Sequence, residues 1–187
     1  LPKLKALGSE TDLLRNYIRK NRQFRYKEVD YSRRMIIYGS GFENHPTRPA
    51  ANGFRESPAF FGQDGYDRVE KVEFLPTLQN TSYLWARGDG PGHFQGASGV
   101  GVTQNFVGIP TSTDPVQQIA YDPRSPFFTI CGSWFGDWDT RDNFLRAFLA
   151  APGHSLTNAW VGFNHWFAQD LALGYNIGCP MRKLHLN

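Results

Sequence analysis

The stretch Pro126 to Asp142, PFFTICGSWFGDWDTRD, limits what this chain can fold into more than any other. Phe127 to Ile130 are consecutive residues of good strand propensity, bounded by Pro126 and Gly132. A short apolar run between breakers predicts a buried strand covered on both faces, which points to the α/β class. Cys131 stands where that strand should end, followed by Gly132 and Ser133. In open α/β sheets, ligands and chemistry collect at the strand ends. The loop that follows holds Trp134, Trp138, Phe135, Asp137, Asp139 and Asp142, an unusual density for a surface turn. Either Cys131 is a nucleophile presented at a sheet edge, or this is a well-packed structural turn.

The rest of the chain reads as partners for that strand. Met35 to Tyr38 (MIIY) and Ser82 to Ala86 (SYLWA) are short buried strands. Val69 to Phe74 (VEKVEF) alternates as a half-exposed strand, and Leu156 to Val161 (LTNAWV) is a further strand. Ser9 or Thr11 caps a first helix whose apolar face is Leu13, Leu14, Tyr17 and Ile18, with Arg15, Arg19, Lys20 and Arg22 on the other side. Asp139 or Thr140 caps a helix running to Ala151, and His165 to Leu173 forms another, closed by Gly174. Ala50 to Phe61 predicts a short helix and Val116 to Ile119 a single helical turn. Seven glycines between Gly88 and Gly108 predict a long flexible loop directly after a core strand. The expectation is one α/β domain over residues 1–187 with a mainly parallel central sheet.

Composition excludes some classes. Net charge is +3 and spread along the chain, against a dedicated nucleic-acid binder. The local run RKNRQFRYK reads as a solvated helix end. No run of apolar residues is long enough for a membrane span. The opening LPKLKALGSE carries no targeting pattern and is expected to continue a larger polypeptide, whose neighbouring domains would be partners. Cys131 and Cys179 form no CxxC and no zinc spacing, and a disulfide between them is open.

Several constellations compete for chemistry. A cysteine peptidase needs a thiolate, a base and oxyanion donors. Cys131 supplies the thiol, and Gly132 leaves room for a carbonyl and offers its N–H. His93, in the glycine loop after the neighbouring strand, is the candidate base. A lone cysteine ending an apolar strand is equally read as a small buried hydrophobe. Asp137, Asp139 and Asp142 are dense enough to hold calcium, although no EF-hand pattern is present; the plainer reading is helix capping and salt bridges. No spacing rule selects a glycosidase pair from them. Trp134 and Trp138 are candidates to line a peptide or sugar groove, whereas Trp160 and Trp166 read as core. His154 and His165 flank the strand LTNAWV and can also reach a cysteine; Cys179 is a loop thiol and His45 a surface histidine. Gly39-Ser40-Gly41 after MIIY is not a phosphate-loop pattern.

Three stretches together resemble the gingipain branch of the caspase-like cysteine peptidases. They are FFTICGS, the closing GHSLTNAWVGFNHWFAQDLALGYNIG, and SETDLLRNYIRKNRQFR ahead of MIIY. The resemblance implies a caspase-like three-layer sandwich with a central mostly parallel sheet, here as an incomplete copy. It also implies calcium at the aspartates and an extracellular or cell-envelope location. In that family one core strand ends in His-Gly and the next in a cysteine. Here YLWA is followed by Arg87-Gly88, so an arginine stands where the base belongs. Arginine stays protonated and cannot act as a general base; it can pair with Asp89 or with an aspartate near Trp138. The expectation is therefore a non-catalytic scaffold or binding domain of a larger exported protein, with a peptide or protein ligand. The alternative is a cysteine endopeptidase using Cys131 with His93.

Overall fold

The computed structural model describes residues 8–39, 57–69, 74–107, 120–137, 139–160, 169–179 and 182–183. Five strands form one sheet in the order β2-β1-β3-β7-β8, every neighbouring pair parallel. They are β1 (Met35–Gly39), β2 (Tyr66–Val69), β3 (Trp85–Asp89), β7 (Phe127–Cys131) and β8 (Thr157–Trp160). A small antiparallel sheet, β4 (Gly92–His93), β5 (Gly96–Ala97) and β6 (Gly101–Val102), is inserted between β3 and β7. The helices are α1 (Glu10–Arg25), α2 (Phe74–Asn80), α3 (Phe144–Ala150) and α4 (Gln169–Ala172), with a further helical turn at residues 57–61.

Strand alternation sorts the core into two layers. Ile36, Tyr38, Ala86, Phe128 and Ile130 face one side and pack with Phe74, Leu75 and Leu78 of α2 and Phe144, Leu145 and Phe148 of α3. Met35, Ile37, Trp85 and Cys131 face the other, against Phe61 and Leu171. Helices therefore cover both faces, which is why these strands read as unbroken apolar runs. Phenylalanines dominate the first layer: the ring of Phe148 lies 4.8 Å from Phe106, 4.7 Å from Phe128 and 5.0 Å from Phe144. Such tilted and edge-on pairs contribute about 0.5–1.5 kcal/mol each beyond burial.

The chain leaves β1 toward β2 and returns to β3 on the other side, so the winding direction reverses between β1 and β3. In doubly wound sheets the crevice at that reversal is the usual ligand position. Here Gly39 and Asp89 are register partners at its mouth. The inserted sheet packs close by: Gly99, at φ +75°, lies so close to Tyr38 that a Cβ would drive into its hydroxyl end.

Several elements differ from the sequence expectation. Of the strand expected at VEKVEF, Val69 ends β2 and Phe74 opens α2, while residues 70–73 lie outside the described residues. The strand expected to stop at Ala86 runs on through Arg87, Gly88 and Asp89. The glycine-rich segment after it is not an irregular loop but the β4–β6 sheet and a 3-10 turn at Thr103–Phe106. Asn143, not Asp139 or Thr140, caps α3, its side chain accepting the Leu145 N–H at 3.1 Å. Ser9 caps α1 as expected, but Leu14 and Ile18 face outward while Lys20 is buried. Trp160 is exposed rather than core. His45, the Val116–Ile119 turn, Trp138, His165 and Trp166 lie outside the described residues. Among the described residues no helix is long and apolar enough to cross a membrane.

Candidate functional site at the ends of β3 and β7

Alternation along β3 puts Trp85, Arg87 and Asp89 on one face, and alternation along β7 puts Phe127, Thr129 and Cys131 beside them. The parallel register matches Trp85 with Phe127, Arg87 with Thr129 and Asp89 with Cys131. The two strand ends expected to meet thus lie side by side. The Trp85 indole donates to the Thr129 hydroxyl at 3.3 Å. Arg87 Nε donates to Asp89 Oδ2 at 3.0 Å, and both residues are fully buried. The Cys131 thiol hydrogen-bonds to the Asp89 carboxylate.

The electrostatics run against a thiolate. Burial, and then the negative charge of Asp89, push the Cys131 thiol up to about 12, and Arg87 offsets only part of this. Asp89 is itself held above the ordinary carboxylate range by burial, with the Arg87 guanidinium pulling it back. A nucleophilic cysteine needs the opposite setting, an exposed site beside cations that lowers its pKa.

His93 lies on β4 and is exposed. Its Nδ1 accepts the Gln95 N–H at 3.2 Å, and its ring meets Phe94 edge-on at 5.9 Å. The hairpin itself does approach β7: a Cβ at Gly92 would stand 2.9 Å from the Gly132 Cα, and Gly90 N–H donates to the Cys131 carbonyl at 3.0 Å. Gly132 has a packing reason to be glycine, since a Cβ there would stand 2.6 Å from the Phe135 ring. Its carbonyl accepts the Trp160 indole N–H at 2.9 Å.

Trp134 is 65% exposed and holds a left-handed backbone at φ +66°, a strained setting for a bulky residue. Asp137 contributes mainly its backbone carbonyl, which accepts from Thr140 and Asn143. Asp142, also left-handed, pairs with Arg141 at 3.5 Å, and its carbonyl accepts the Thr103 hydroxyl at 2.7 Å. Among the described residues no group of three or more His, Cys, Asp or Glu side chains gathers to hold a metal. Asp137, Asp139 and Asp142 stand in the turn that leads into α3.

His154 precedes β8, at the sheet end opposite Cys131, and its Nδ1 meets the Tyr31 hydroxyl at 3.1 Å. Cys179 Sγ faces Asp170 Oδ2 at 3.6 Å, and no disulfide joins it to Cys131. Sequence reasoning missed that Arg87 and Asp89 share a buried face with Trp85, Thr129 and Cys131. The signal was present: Trp85, Arg87 and Asp89 sit at i, i+2 and i+4, but ending the strand at Ala86 hid it. The chain matches no protein-family model, no curated protein and no solved structure.

Proposed function

We propose that this chain is a non-catalytic domain of caspase-like type, a peptidase scaffold without its base, acting as a binding or structural module of a larger exported protein. One observation carries the reading. The thiol at the β7 end is buried against Asp89 and Arg87, held protonated with a pKa near 12, where a peptidase requires an imidazole and a thiolate. The strand that carries Arg87-Gly88 and the strand that ends in Cys131 are adjacent and parallel, with Arg87 opposite Thr129 and Asp89 opposite Cys131, which supports the resemblance. The Arg87–Asp89 ion pair lies buried beside Cys131, where the base of a peptidase would stand.

Turnover of a mixed peptide library, with and without calcium, tests this. The expectation is no cleavage by the wild-type chain. Cleavage lost in both Cys131→Ala and His93→Ala, in protein that remains folded, would establish the endopeptidase reading instead.

A further inference from the structure

The outward face of α1 is a surface that the proposed scaffold does not use. The inner side of the helix is fastened to residues 149–156 through hydrogen bonds. Tyr17 Oη donates to the Leu156 carbonyl at 3.1 Å and Arg19 to the Pro152 carbonyl at 2.6 Å. Lys20 Nζ donates to the Leu149 and Ala151 carbonyls at 2.9 and 2.6 Å. These contacts decide which side looks out. On that side Leu14 is 60%, Ile18 59% and Tyr26 73% exposed.

Leu14, Ile18, Asn21 and Arg25 follow one another at steps of four, three and four, the spacing of a coiled-coil seam. Arg25 Nε donates to Asn21 Oδ1 at 3.0 Å within the seam. Arg15 and Arg22, one heptad apart, flank it where interhelical salt bridges form. Their present ion pairs are long and solvated, 3.7 Å to Asp12 and 3.9 Å to Glu28, and such pairs contribute little. From Leu13 to Lys27 the charged residues are Arg15, Arg19, Lys20, Arg22, Arg25 and Lys27, with no carboxylate among them.

We propose that this face docks an acidic amphipathic helix from another domain or protein, its aliphatic side chains seated on Leu14 and Ile18 and its carboxylates on Arg15 and Arg22. Charge selects the occupant. A second copy of α1 would set arginine against arginine. A nucleic acid would leave Leu14 and Ile18 in water. A bilayer would have to accommodate arginines interleaved with the apolar residues along the whole seam. An acidic helix satisfies both sets at once, and this holds whether or not Cys131 is catalytic.

The test uses the purified chain and a fluorescent synthetic helix of about three heptads, with leucine along the seam and glutamate at the flanks. A twin with lysine at the flanks is the control. The glutamate helix is expected to bind and the lysine helix not. The double variant Arg15→Glu with Arg22→Glu should reverse the preference, each affinity moving by roughly tenfold or more. Leu14→Ser with Ile18→Ser should abolish binding of either probe. All four side chains are exposed, and circular dichroism verifies the fold of each variant. The inference is overturned if the glutamate helix does not bind or if the charge reversal leaves the preference unchanged. It is equally overturned if phosphatidylserine vesicles or a single-stranded oligonucleotide, rather than the acidic helix, bind in a Leu14- and Arg15-dependent way.

Discussion

Cys131 illustrates how one residue's role is set by what faces it. The side chain ends an apolar strand, as the sequence implies, but it points into the layer that holds Trp85, Arg87 and Asp89. A thiol in that setting keeps its proton. The ordinary value is 9.0, and the folded value is about 12, raised chiefly by burial. Between these values the unfolded chain has released a proton that the folded chain retains. The Cys131 contribution to stability is therefore complete below about pH 9 and is lost as pH rises toward 12. Urea midpoints across that window should fall with pH, and Cys131→Ala should fall less steeply. Iodoacetamide at neutral pH should modify Cys179 well before Cys131, read by mass spectrometry of the peptides.

At the scale of elements, α1 shows that a polar anchor can orient a helix as firmly as an apolar stripe. Lys20 is 2% exposed and lies at the C-terminal end of α3, where its ammonium meets carbonyls that have no helical partner. Burial lowers its pKa from 10.5 to about 8, partly offset by Asp122, while Arg19 lowers it further. The sign is opposite to that of Cys131. Between about 8 and 10.5 the unfolded chain holds the extra proton, so the Lys20 contribution grows as pH rises through this window. The stability difference between wild type and Lys20→Met, from urea denaturation, should shift in favour of wild type from pH 8 upward. A difference independent of pH would show that Lys20 titrates normally in the folded chain. The β4–β6 sheet makes a second point about elements. Glycines on both sides of the contact serve close packing: a Cβ at Gly88 of β3 would stand 2.9 Å from Val100, and one at Gly96 of β5 would stand 2.6 Å from Val102. They are the price of laying a hairpin flat on the sheet.

At the scale of the whole molecule, the parallel sheet is ordered about β1, β3 and β7, each flanked by a strand on both sides and covered on both faces. Opening any of them requires the core to come apart, whereas β4 to β6 are strands of two residues each, of which β5 is buried and β4 and β6 are partly exposed. Native-state hydrogen exchange should therefore rank β1, β3 and β7 amides slowest, at the global unfolding free energy, with β4–β6 opening earlier. Equal protection across the two sheets would mean that the small sheet folds as one unit with the core.

The sequence by itself determined the class of the fold and the chain positions of β1, β7 and β8. The β-branched and aromatic runs of β1 and β7 read as buried strands, and parallel strands need helices on both faces. It also placed Cys131 at a strand end and an arginine beside it. What only the tertiary structure decided was orientation. Arg87 and Asp89 belong to β3 because register with β7 extends the ladder past Ala86, a long-range pairing that local propensity does not encode. The α1 face is turned from its apolar pattern, with Tyr17 inward but Leu14 and Ile18 outward, because Lys20 reaches carbonyls more than a hundred residues away. The two-residue strands of the glycine segment are stable only as a sheet laid against Tyr38 and Leu75, contacts that local composition cannot foretell.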